Sequence, residues 1–229
     1  MPARALPCVR AAATLLAGWL PLTAAALPMA SKESWMVMGD FTEKSQELAA
    51  NYALTARDAL GAAAGRWKEE AAGGGERRYE FGALTYTRRL HRWNLEHAQS
   101  NLWFVATAGA LRPVGQAQGS AKLTKEALWS VAGLADYETT RIYFGAAART
   151  VRAERVRKDD TYARAGFSFF TAEYDEVQPW LIAEVRRERD TLGMRETTVT
   201  PMLRLISRGY FLEIGGNRDG AVVNFMLSY

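Results

Sequence analysis

Residues 220–229 read GAVVNFMLSY. Apolar Val223, Phe225 and Leu227 alternate with Asn224, Met226 and Ser228, and the aromatic Tyr229 comes last. Successive side chains of a strand point to opposite faces, so a period of two marks a strand. A soluble sheet ending on such a strand would leave an open edge. In hydrocarbon every backbone N–H and C=O must be paired within the protein, so only helices and closed barrels can span. Pairing the last strand with the first removes both edges. Tyr229 is then expected in an interfacial aromatic girdle, ring in the boundary and hydroxyl in water.

The same alternation recurs upstream. Leu102, Phe104, Ala106, Ala108 and Ala110 share one face, and Asn101, Trp103, Val105, Thr107 and Gly109 the other. Ile142, Phe144, Ala146 and Ala148 alternate with Arg141, Tyr143, Gly145, Ala147 and Arg149. Breaks at regular intervals predict twelve strands, near 34–43, 46–54, 58–67, 77–89, 99–112, 123–136, 140–154, 160–173, 179–189, 196–206, 209–216 and 221–229. Most reach the ~9–11 residues of a tilted membrane strand, against about 5–6 in globular proteins. After residue 30 no uncharged apolar run approaches the ~18 residues of a membrane helix. Connections after odd-numbered strands are richer in Gly and charge than those after even ones, the outer-loop and periplasmic-turn asymmetry of bacterial barrels. The expected fold is therefore an all-β, transmembrane, antiparallel up-and-down barrel of about twelve strands. A secreted β-sandwich is the competing arrangement.

The 229 residues suit one such domain, and 29 basic against 25 acidic residues argue against a nucleic-acid partner. The first thirty residues differ. Arg4 and Arg10 precede an uncharged apolar stretch, and Ala24 and Ala26 offer a small-residue cleavage site. This is the layout of a secretory signal peptide over 1–26, with cleavage as late as 30 an alternative, leaving a barrel of 27–229. Cys8, the one cysteine, would leave with it, so neither a disulfide nor a thiolate metal site is expected.

Val223, Phe225, Leu227 and Tyr229, following Gly220, resemble the C-terminal signature of bacterial outer-membrane β-barrels. That resemblance implies that these residues are the assembly signal read by the barrel assembly machinery, with outer-membrane lipid as the other partner. The usual last residue of that signature is Phe, from which Tyr229 departs. ESWMVMGDF, DYETTRIYF and VTPMLRLI are in turn similar to stretches of small uncharacterised barrels of bacterial heavy-metal resistance gene clusters.

If the apolar faces meet lipid, a charged set turns inward: Glu80, Arg141, Arg149, Arg164, Glu184, Arg186, Arg204 and Glu213. Two readings of this set stay open. Ion pairing would fill and stiffen the lumen. An arginine-rich polar pore would pass small anions. A small passive channel for ions or polar solutes is the first functional expectation. A non-conducting structural or binding barrel, linked to envelope integrity or metal tolerance, is the second. Met36 and Met38 share a face, as a Cu(I) site would need and as plain packing also gives, so no metal or cofactor is assigned. His91 and His97 are expected in one turn, with no nucleophile beside them, and no catalytic residue is assigned. The chain is accordingly expected not to be an enzyme.

Overall fold

A computed structural model describes residues 31–70, 75–114, 124–173 and 176–229; the predicted signal peptide lies outside them. Twelve strands follow in chain order: β1 (Trp35–Phe41), β2 (Ser45–Ala53), β3 (Asp58–Glu70), β4 (Glu76–Asn94), β5 (Ala98–Val114), β6 (Glu126–Thr139), β7 (Ile142–Arg152), β8 (Arg157–Phe167), β9 (Gln178–Arg189), β10 (Arg195–Ser207), β11 (Tyr210–Asn217) and β12 (Gly220–Ser228). Each pairs antiparallel with its sequence neighbours, and β12 pairs with β1 to close the barrel. The protein is thus an all-β, closed, twelve-stranded up-and-down barrel.

Register carries the alternation from strand to strand. Val185 lies opposite Ala163 and Val199, and these face outward. Their neighbours Glu184, Arg164 and Thr200 face inward in mutual register. The outward face is broadly apolar and solvent-accessible. Leu84 is 72% exposed and Val199 61%, and Leu60, Phe144, Leu181 and Ile214 are also exposed. A contiguous belt of this kind is unsuited to water and suits hydrocarbon. Trp35, Tyr52, Tyr137, Phe167, Tyr210 and Tyr229 face outward around the end of the barrel that carries the termini. They form the girdle expected there.

The closing seam has its own packing. Gly39 lies opposite Phe225, and a Cβ on Gly39 would collide with the Phe225 ring. Glycine lets that ring lie flat over β1, where it stacks on Phe41 with centroids 6.0 Å apart. Tyr229 N–H donates to the Trp35 carbonyl and Trp35 N–H to the Tyr229 carbonyl, extending the seam past β12.

Two strands depart most from their predicted extents. β4 runs on to Asn94 through a register shift between Arg89 and His91. His91 is therefore in a strand, its ring 4.3 Å from that of Trp93, and not in the turn with His97. β8 stops at Phe167, because Arg141 captures the next carbonyls. Its Nε donates to the Ser168 carbonyl and its Nη2 to that of Phe169.

Candidate functional site

The lumen falls into two halves. Near the end bearing the termini it is filled. Inward side chains from around the wall are buried there: Met36, Ala53, Ala59, Thr87, Trp103, Glu138, Tyr143, Trp180, Arg204 and Phe211. Arg204 and Glu213 are both 0% exposed, and Trp180 is 2%. The Arg204 guanidinium sits between two rings, 4.2 Å from the centroid of Tyr143 and 4.9 Å from that of Phe211. These side chains shield one another from solvent.

A charge ladder rises from this layer. Arg204 Nε donates to Glu213 Oε1 at 2.8 Å. Glu213 Oε2 accepts from Asn224 at 2.9 Å and from Arg164 Nη1 at 3.2 Å. Arg164 Nε in turn donates to Glu184, which accepts from Arg186 Nε at 2.8 Å. Arg186 Nη1 ends the chain on Asp160 at 3.0 Å. Three cations alternate with three carboxylates, so the ladder is neutral. Tyr162 lies under both Arg164 and Arg186, 4.7 and 5.0 Å from their guanidinium carbons. Such burial costs several kcal/mol per ion unless every charge is matched, which the alternation achieves.

The other half of the lumen is divided. Trp67, Tyr79, Phe81, Leu111 and Leu128 pack on the β3–β6 side, and Val156 from the β7–β8 connection inserts among them. Arg149 reaches Glu47 at 3.1 Å and Lys158 reaches Glu69 at 3.7 Å, each across the lumen. Beyond these ties lies a cavity of about 160 Å3, open away from the termini. Setting aside Asp159, whose side chain faces outward, eight carboxylates line it against five cations. Asp160 lies opposite Glu188, and Glu188 opposite Glu196, giving a row of three carboxylates across β8, β9 and β10. Asp160 holds Arg186, while Glu196 holds Lys44 at 2.7 Å and Arg218 at 2.6 Å. Among the described residues the side chains of Glu188 and Asp40 make no hydrogen bond or ion pair, and Asp160 Oδ1 is buried without a partner. Lys44, in the turn after β1, also meets Asp219 at 3.2 Å. Partial burial alone would depress its ammonium, but the hydrogen bonds to Glu196 and Asp219 and their charges hold it above the usual lysine range.

The candidate residues are therefore dispersed by the structure. Arg149, Arg164, Glu184, Arg186, Arg204 and Glu213 face the lumen, and the last five meet in the ladder. Glu80 does not join them. It faces outward near the loop end of β4 and pairs with Arg112. Tyr79 and Phe81 take the inward positions, because the lumen there is packed with aromatic rings while the outer surface at the rim meets polar surroundings. Arg141 lies in the β6–β7 turn on backbone carbonyls and is not part of the wall. The inward carboxylates Glu188, Glu196 and Asp160 escaped the sequence reading, although parity with Glu184 and Arg186 marks Glu188. Met36 and Met38 point inward beside Asn51 and Ala49. Among the described residues no cluster of three or more His, Cys, Asp or Glu has a metal-binding arrangement.

What the fold defines is a closed antiparallel barrel with an apolar outer belt, which fits a bacterial outer-membrane barrel. No protein-family model matches the chain, and no curated protein matches it. Among solved structures it is similar to LpxR from Salmonella typhimurium, with 9% identity over 86% of this chain and 99% of that one and a TM-score of 0.47. The expectation that the chain is not an enzyme rested only on the lack of a recognised catalytic pairing in the sequence, and it is withdrawn.

Proposed function

We propose that this chain is an integral outer-membrane β-barrel that does not conduct, and that it binds a small cationic solute in its outward-opening cavity. The termini would lie on the periplasmic side and the cavity mouth outside. One observation carries this reading: the buried layer around Arg204, Trp180 and Trp103 fills the lumen beneath an open, carboxylate-rich cavity. A passive channel needs a continuous polar path, which that layer interrupts. The row Asp160–Glu188–Glu196 sets like charges opposite one another, an arrangement that costs stability until a cation neutralises it. With eight carboxylates to five cations, the cavity favours cations, in place of the anion preference expected from the arginines.

The test combines two measurements on the refolded barrel. Planar-bilayer recordings are expected to be silent, and titration with spermidine is expected to give saturable heat that Glu188→Gln weakens about tenfold. Discrete conductance steps would overturn the closed-barrel reading. Absence of spermidine heat, or heat unchanged by Glu188→Gln, would overturn the binding reading.

A further inference from the structure

Beyond the lumen, a second charged feature lies on the outer wall. Above the apolar belt of β7–β10, the outward positions change character within one or two residues. Ala146 and Ala148 give way to Thr150 and Arg152, and Leu181, Ala183 and Val185 to Arg187 and Arg189. Val199 gives way to Thr197 and Arg195. The register sets these cations against each other. Arg152 is directly opposite Arg157, and Arg189 directly opposite Arg195. Like charges so placed destabilise a sheet.

Only part of this charge is answered within the protein. Asp159, opposite Arg189, takes Arg152 Nη2 at 2.7 Å, and Arg152 Nη1 donates to the Val151 and Lys158 carbonyls at 2.9 Å. Arg152 is thereby held rigidly. The side chains of Arg157, Arg187, Arg189 and Arg195 make no ion pair among the described residues. Arg152, Arg157 and Arg189 also line, with the carboxylates Asp159 and Asp190, a surface groove of about 290 Å3 beneath the β9–β10 turn. Gly193 shapes that turn at φ +81°, and Thr191 Oγ1 accepts the Arg157 backbone N–H at 3.2 Å.

We infer that this groove binds the phosphate of a phosphorylated lipid in the outer leaflet. Planar guanidinium forks suit bidentate contact with phosphate oxygens. The acyl chains of such a lipid would lie on the belt formed by Val185, Val199 and Ala163 immediately below. Free phosphate could satisfy the arginines but gains nothing from that belt, so the lipid is the preferred source. The inference rests on the outer-membrane reading above.

The experiment uses the refolded barrel in mixed micelles containing equal amounts of phosphatidic acid and phosphatidylcholine, with bound lipid counted by native mass spectrometry. Phosphatidic acid is expected to be retained preferentially. The variant Arg157→Gln/Arg189→Gln/Arg195→Gln should lose that preference by about fivefold per arginine, while Arg66→Gln on the opposite wall should keep it. Excess inorganic phosphate should compete weakly. Equal retention of both lipids, or a preference untouched by the triple variant, would overturn the inference. So would full displacement by inorganic phosphate, which would make the groove a simple anion site. A barrel that inserts into bilayers yet shows no lipid preference refutes this site alone, whereas failure to insert refutes the membrane reading itself.

Discussion

Arg149 on β7 and Glu47 on β2 meet at 3.1 Å although four strands lie between them on the shorter way around the wall. The pair spans the lumen, two long side chains bridging opposite walls at that height. Lys158 and Glu69 make a second tie beside it. On the cavity side, eight carboxylates face five cations, and Glu188 makes no ion pair among the described residues.

The tie itself can be measured. Because Arg149 and Glu47 are partly exposed, their interaction is screened and modest. A double-mutant cycle with Arg149→Gln and Glu47→Gln is expected to give a coupling of about 1 kcal/mol in urea unfolding. Zero coupling would mean that the two side chains do not meet across the lumen.

The ladder predicts unequal costs for its members. Glu213→Gln leaves Arg204 and Arg164 without their shared carboxylate, and should destabilise by about 3–5 kcal/mol. Arg204→Met leaves Glu213 with Arg164 and Asn224, so its cost should be distinctly smaller. Equal losses for the two variants, read from heat-modifiable gel mobility and urea midpoints, would contradict the geometry.

The outward belt sets a depth rule. Val185→Arg places a cation in the apolar belt and should cost about 2–4 kcal/mol in lipid, while Thr161→Arg nearer the rim should cost about 0–1. Refolding equilibria in bilayers of defined thickness decide this. Similar costs at both positions would argue against a membrane belt.

Closure should depend on the ring that Gly39 accommodates. Gly39→Val drives a side chain into Phe225, and loss of Phe225–Tyr229 removes most of the β12 side of the seam. Both changes are expected to abolish folded yield in the membrane fraction. Normal yield from the truncation would show that β12 does not nucleate or lock the closed sheet.

Much of the wall was legible from residues alone. The period of two is a local property, readable in Leu102–Ala110 or Val223–Leu227 without knowledge of any partner strand. The reading failed where the two faces exchange polarity. At Tyr79, Glu80 and Phe81 the aromatic residues turn in and the charge turns out, because the rim of the barrel is wet and the lumen there is packed. A rule of apolar outside and polar inside inverts under those conditions. Arg141 failed for a different reason. A strand end is decided by which side chain satisfies the last carbonyls, and alternation carries no trace of that.

The sequence by itself determined the strand number, the alternation of faces and the all-β class, since each follows from side-chain direction along a single strand. Only the tertiary structure decided which charges meet. Arg204 with Glu213, Arg164 with Glu184 and Arg149 with Glu47 are brought together by register and closure. Those are non-local quantities, so which side chains fill the lumen follows from how opposite walls pack.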